Sequence, residues 1–240
     1  MNNFTTDERI EQFSNLMNPY VSEEFKEWLI ESGFFTAPAS IHHHGAYSGA
    51  LFDHSFAVTK ALLSFTERLE LKWQLERSPY IVGMFHDLCK VDNYTCTKNP
   101  ALSPLLEGDS WEYNNATLLP GHSDKSVMML QQHIQLTDEE LYCIRWHMGA
   151  FDDKENWNSY GRAVTNFPNV LYTHTADMVA ARILGGMSMN NDDKEQLEYI
   201  RAWVQQKKQR EAHKQIAKRK IKYHFRMAFH WLIELFKKGR

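Results

Sequence analysis

The stretch Tyr80-Ile81-Val82-Gly83-Met84-Phe85 is an apolar run that ends in an adjacent histidine and aspartate, His86-Asp87, with Leu88-Cys89-Lys90 after them. An imidazole or a carboxylate buried among apolar side chains costs free energy unless something pairs with it. Any fold this chain adopts must therefore supply partners for both groups. Two solutions exist, a pair of satisfied core residues or a bound metal ion, and the other histidines decide between them.

The chain is long enough, at 240 residues, to bury a substantial core. It has no run of about twenty apolar residues and no basic-then-apolar amino terminus, so neither a membrane span nor a signal peptide is expected, and the cytoplasm is the default location. Cys89, Cys96 and Cys143 are an odd number without a C-x-x-C pair, which argues against a disulfide framework or a structural zinc knuckle. Histidine is the outlier, with twelve in the chain.

The periodicity is helical. Ser22 caps a helix whose apolar stripe is Phe25, Trp28 and Leu29 and which stops at Gly33. A long amphipathic helix is predicted from Leu51 to Leu71, and a second over residues 79–90, with Pro79 in its first turn. The Asn-, Thr-, Pro- and Gly-rich stretch from Val91 to Pro120 is expected to be a long irregular excursion. Gly121-His122 opens another helix. Thr137 and Glu140 form a capping box for a helix carrying Ile144, Arg145 and His147, and Pro168 begins one carrying His174 and Asp177. No stretch has a convincing strand pattern, so an all-α fold is expected.

Charge divides the chain. Residues 1–200 hold 14 Lys and Arg against 28 Asp and Glu, whereas residues 201–240 hold 13 against 2. A boundary is expected near Asn190, giving a core of 1–190 and a basic helical extension of 191–240. The end of that extension keeps Ile221, Phe225, Phe229, Leu232 and Phe236 at helical spacing, a stripe that needs a partner. The core or a second copy could provide it, while the basic run could hold RNA or DNA or lie on anionic lipid.

The polar residues set into the apolar helices are His54, His86-Asp87, His122, His147 and Asp177. Four imidazoles and two carboxylates from different helices suit one or two borderline-to-hard divalent cations. An aspartate beside a histidine can bridge two ions, and such a pair of ions clamps a phosphoryl group and acidifies water.

At this point the sequence resembles the HD-domain superfamily of metal-dependent phosphohydrolases. Its H…HD…H…H…D pattern is matched in order by His54, His86-Asp87, His122, His147 and Asp177. An H-x-x-Y-x-G-G-L-x-x-H segment of one branch is similar to His44-Gly45-Ala46-Tyr47-Ser48-Gly49-Ala50-Leu51-Phe52-Asp53-His54, with Ala50 in place of the second glycine. H-D-x-x-K is matched by His86 to Lys90, with Cys89 where glycine is common, and the surroundings of His122 and His147 also look alike. The likeness spans roughly residues 30–185 and not the extension.

The resemblance implies an HD-domain helical bundle with one or two divalent ions (Mn, Fe, Mg, Ni, Co or Zn). His54, His86, Asp87 and Asp177 would hold one ion, and Asp87, His122 and His147 the other. In a one-ion site, His122 and His147 would bind substrate instead. The implied reaction is hydrolysis of a phosphomonoester or phosphodiester, a nucleotide above all, by a metal-activated hydroxide. Lys90 would contact phosphate or stabilise developing charge, unless it is a plain helix-end lysine. Lys125 and Arg145 are candidate phosphate contacts or surface charges, and His44 and Tyr47 candidate substrate contacts or structural hydrogen bonds. Three alternatives stay open: a phosphodiesterase or nuclease acting on short RNA or DNA through the basic extension, a di-iron oxygenase on the same ligands, and a non-catalytic nucleotide-binding module.

Overall fold

The computed structural model describes residues 4–41, 45–97 and 111–184. All of them belong to one unit, Met1–Met187. His44 and the basic extension, with its expected boundary and apolar stripe, lie outside the described residues.

The described chain is predominantly helical: α1 (Thr6–Met17), α2 (Glu23–Glu31), α3 (Ala50–Leu69), α4 (Ser78–Phe85), α5 (Lys90–Asn93), α6 (Ser123–Leu130), α7 (Asp138–Arg145), α8 (Trp157–Asn166) and α9 (Asn169–Val179). Local chemistry sets many of the ends. Thr5 accepts from the Glu8 backbone N–H while the Glu8 side chain accepts from the Thr5 backbone, and Thr137 and Glu140 repeat this at α7. Ser22 caps α2, and Gly33 follows it with φ 81°, a left-handed conformation suited to glycine.

The long helix α3 packs against α4 and α9, and α7 against α6 and α9. The α3–α4 approach is close enough that a Cβ on Gly83 would sit 2.6 Å from Thr59 Cα. Phe13, Phe25, Phe34, Phe35, Phe52 and Phe85 fill the core between α1, α2, α3 and α4. Their rings meet largely edge-to-face or tilted, as at Phe13–Phe35 (5.4 Å) and Phe25–Phe85 (5.2 Å). Each fully buried ring contributes on the order of 1.5–3 kcal/mol of apolar transfer. Buried Glu139 and Glu140 tie the α3–α4 loop to α7. Glu139 accepts from the Gln74 backbone and Asn169, and Glu140 from Arg77 and Ser78.

Three expectations need correction. The helix predicted over 79–90 ends at Phe85. From His86 to Cys89 the chain tightens into turns with Leu88 N–H to Phe85 O and Lys90 N–H to Asp87 O bonds, before α5 resumes. The helix expected to carry His147 ends at Arg145, two residues short of it. The excursion after Val91 is not wholly irregular: β1 (Tyr94–Cys96) and β2 (Trp111–Tyr113) pair antiparallel, Tyr94 opposite Tyr113. Three-residue strands are too short for alternation to be visible in sequence. Two helices, α1 and α8, also went unanticipated, although the Thr5…Glu8 spacing marks the start of α1.

Candidate metal centre

Breaks in the helices bring the polar residues together. His54 projects from the first turns of α3, Asp177 from α9, His86 and Asp87 from the turn after α4, His122 from the residue preceding α6, and His147 from the residues just past α7. His86, Asp87 and His147 are essentially inaccessible.

Around one oxygen of Asp87 a first group forms. His54 Nε2 lies 3.2 Å from His86 Nε2, 3.1 Å from Asp177 Oδ1 and 3.5 Å from Asp87 Oδ2. His86 Nε2 is 3.3 Å from Asp87 Oδ2 and 3.8 Å from Asp177 Oδ1. Around the other oxygen, Oδ1, His122 Nε2 (3.1 Å) and His147 Nε2 (3.5 Å) complete a triangle whose third side is 3.2 Å. The carboxylate of Asp87 is thus shared between the two groups.

Two of the imidazoles are fixed in orientation by the backbone. His86 Nδ1–H donates to Gly83 O at 2.9 Å and His147 Nδ1–H to Ile144 O at 2.7 Å. In the neutral ring the proton on Nδ1 leaves a lone pair on Nε2. Lone pairs therefore converge on the interior of the cluster, and Asp87 Oδ1 is buried without a well-formed hydrogen bond. Both features are costly unless positive charge lies between them.

The neighbouring Lys90 ammonium supplies part of that charge. Burial opposes ionisation of Asp87, but the Lys90 ammonium, 2.7 Å from Oδ2, and His86 hold its carboxyl well below the usual range. Burial likewise opposes protonation of His122, yet the Asp87 and Cys89 contacts raise it to about 10. His86 is raised by Asp87 against its burial, whereas burial dominates at His147 and lowers it. Asp177, although buried, is drawn down to about 2 by its His54 contact and the charge on His86. Lys90, pushed up to about 12 by Asp87 despite burial, stays charged.

The donors fit a cation. Ligands bound at 2.0–2.2 Å to one ion lie about 3–3.5 Å from each other, close to the spacing seen in both groups. His54, His86 and Asp177, and separately His86, Asp87 and His147, could hold an ion, and so could Asp87, Cys89 and His122. The last set brings in Cys89, whose Sγ lies 3.3 Å from His122 Nδ1. No C-x-x-C spacing marks this thiol in the sequence. Tyr94, close enough to Lys90 and Asp87 to feel their charges, was also missed; it lies in the unanticipated hairpin.

The other candidates have internal partners. Lys90 places its ammonium 2.7 Å from Asp87 Oδ2. Lys125, 2% exposed, spends its three donors on Asp92 (2.6 Å), Asn93 (2.8 Å) and Thr117 (3.0 Å), bracing α6 against α5. Arg145 pairs with Asp124 and Asp152 and lies 4.1 Å over the Trp146 ring. Trp146 in turn lines a groove with Tyr142 and Phe167 that contains none of the six converging residues. Tyr47 donates to Asp53, which also receives both ends of the Arg9 guanidinium. That pairing anchors α1 beside His54, and Gly49, at φ 88°, holds a left-handed conformation suited to glycine where a Cβ would also press on the Arg9 guanidinium. His174 Nδ1–H donates to His147 O at 2.7 Å, fixing the segment that carries His147.

The protein is thus a predominantly helical chain with a buried His/Asp/Cys cluster that could hold metal. No protein-family model, no curated protein and no solved structure matches the chain. Among the described residues no helix is long and apolar enough to cross a membrane.

Proposed function

We propose that this chain is an HD-domain metal-dependent phosphohydrolase that cleaves a phosphomonoester or phosphodiester, with a nucleotide as the preferred substrate class. The supporting observation is the sharing of Asp87: one oxygen lies 3.5 Å from His54 Nε2 and 3.3 Å from His86 Nε2, the other 3.1 Å from His122 Nε2 and 3.5 Å from His147 Nε2, spacings that two adjacent cations would impose. When bound, divalent ions would polarise phosphoryl oxygens and acidify water. The residues of the chain do the rest. His54, His86, Asp87 and Asp177 would hold one ion and Asp87, His122 and His147 the other. The Nδ1 bonds of His86 and His147 keep their Nε2 atoms turned inward. Lys90 keeps its charge and can turn from Asp87 toward a phosphoryl oxygen that carries developing negative charge.

The test is release of phosphate or nucleoside from nucleoside monophosphates and from short oligonucleotides by the manganese-loaded protein, with metal content measured in parallel. Hydrolysis that disappears in Asp87→Ala supports the reading. A metal-loaded protein inert toward both substrates sinks it, and oxygen consumption by an iron-loaded form would move the same ligands to oxidation. Preference for oligonucleotides would favour the nuclease reading, which the 13 basic residues of 201–240 support.

A further inference from the structure

The imidazoles around Asp87 are not held alike. His86 and His147 each donate Nδ1–H to a backbone carbonyl, which commits Nε2 to the interior whatever else happens. Among the described residues, the contact at His122 Nδ1 is instead Cys89 Sγ at 3.3 Å. Sulfur can play either part in that contact. If the thiol S–H donates to Nδ1, the ring proton moves to Nε2 and points at Asp87 Oδ1, 3.1 Å away, and His122 is no ligand. If sulfur accepts Nδ1–H, the Nε2 lone pair faces the interior as those of His86 and His147 do.

Cys89 is placed to make this choice. It is fully buried at the start of α5, and its backbone N–H donates to Ser126 Oγ at 3.0 Å, locking the α5 start to α6, the helix that His122 precedes. A second observation points to a ligand at this spot: Asp87 Oδ1, on a residue 2% exposed, faces it without a well-formed hydrogen bond. His122 is also the most open of these groups, its side chain 34% exposed, so packing alone does not hold its ring.

The geometry points to Cys89 as the positioning residue of the second ion: by accepting Nδ1–H of His122 it turns Nε2 inward and completes the site with His147 and Asp87. This rests on the two-ion reading of the cluster. The two halves then differ in kind. The half of His54, His86, Asp87 and Asp177 is built without Cys89, whereas the half of His122 depends on a single weak N–H···S contact and is the weaker of the two. Partners in this outer position change metal affinity about 10–100-fold.

The experiment is cobalt(II) titration of the full-length chain, read by calorimetry, metal analysis and absorption, in the wild type, Cys89→Val and Cys89→Ser. Valine keeps roughly the volume but has no acceptor, and serine restores one. The wild type is expected to bind two ions. Cys89→Val should bind the first with unchanged affinity, which also shows that it folds, and the second about 10–100-fold more weakly; Cys89→Ser should recover the second. Equal affinity for both ions in Cys89→Val would overturn the inference. So would an intense near-ultraviolet sulfur-to-cobalt band, which would make Cys89 a direct ligand. A wild type binding fewer than two ions removes this inference together with the two-ion site. Two ions bound without phosphate release would sink only the proposed reaction.

Discussion

Replacing Asp87 by asparagine keeps the shape of the side chain and removes the charge that both halves of the cluster share. In the ion-free protein Lys90 loses its 2.7 Å partner while remaining 15% exposed at the side chain, and breaking a buried pair from one side costs about 3–5 kcal/mol. Ions then enlarge the difference. Each ion bound only to the native state adds about 2.7 kcal/mol at a hundredfold excess over its dissociation constant. Asp87→Asn, lacking both sites, should fall behind the wild type by about 3 kcal/mol in chelator and by about 8 kcal/mol with both sites saturated in the wild type. Urea denaturation with and without manganese reads both gaps. Asp177→Asn, which touches one half, should lose only one increment on metal addition. If manganese widened the Asp87→Asn gap by no more than the Asp177→Asn gap, the carboxylate would not be shared.

The second ion should bind more tightly as pH rises. His122 is raised to about 10, so near neutrality its proton must leave before the ring can coordinate, and affinity should climb about tenfold per pH unit and level off close to that value; a flat calorimetric profile from pH 7 to 9 would contradict this. Asp177, drawn down to about 2, contributes stability above the ordinary carboxylate range that is lost as pH falls through about 4 toward 2, and Asp177→Asn should flatten that part of an acid-unfolding curve. Gly83→Ala should destabilise by about 1–3 kcal/mol, the reverse of the usual gain from alanine in a helix, because the new methyl meets the Thr59 backbone; thermal melts decide the sign. Lys125→Met should cost about 1–3 kcal/mol by removing the ammonium from Asp92 and Asn93, and should weaken metal binding at the His122 half more than at the His54 half.

The cluster could be suspected from sequence because its members violate the local pattern. His86-Asp87 interrupts an apolar run, and Asp177 sits on an otherwise apolar helix face, so each advertises a missing partner. Helix caps were legible for the same local reason, as at Ser22 and Thr137. What stayed hidden depends on distant chain. Arg9 resembles any surface arginine until it meets Asp53 across 44 residues, and Lys125 any basic helix residue until Asp92 closes over it across 33. Arg145 likewise looked available for phosphate before Asp124 and Asp152 claimed it. The break after Phe85 was invisible because His86 and Cys89 keep right-handed helical dihedrals; only the shift to i+3 bonding separates the turn from a helix.

The clustered side chains come from distant parts of the described sequence, His54 on α3 and Asp177 on α9, with Asp87 between. An ion that needs all three has nothing to grasp in a chain whose α9 has not yet docked, so it does little to start folding and much to delay unfolding. Filling the centre should leave the refolding rate nearly unchanged while slowing the unfolding rate by most of the added stability, and amide protons in α3 and α9 should exchange together once the ions are stripped.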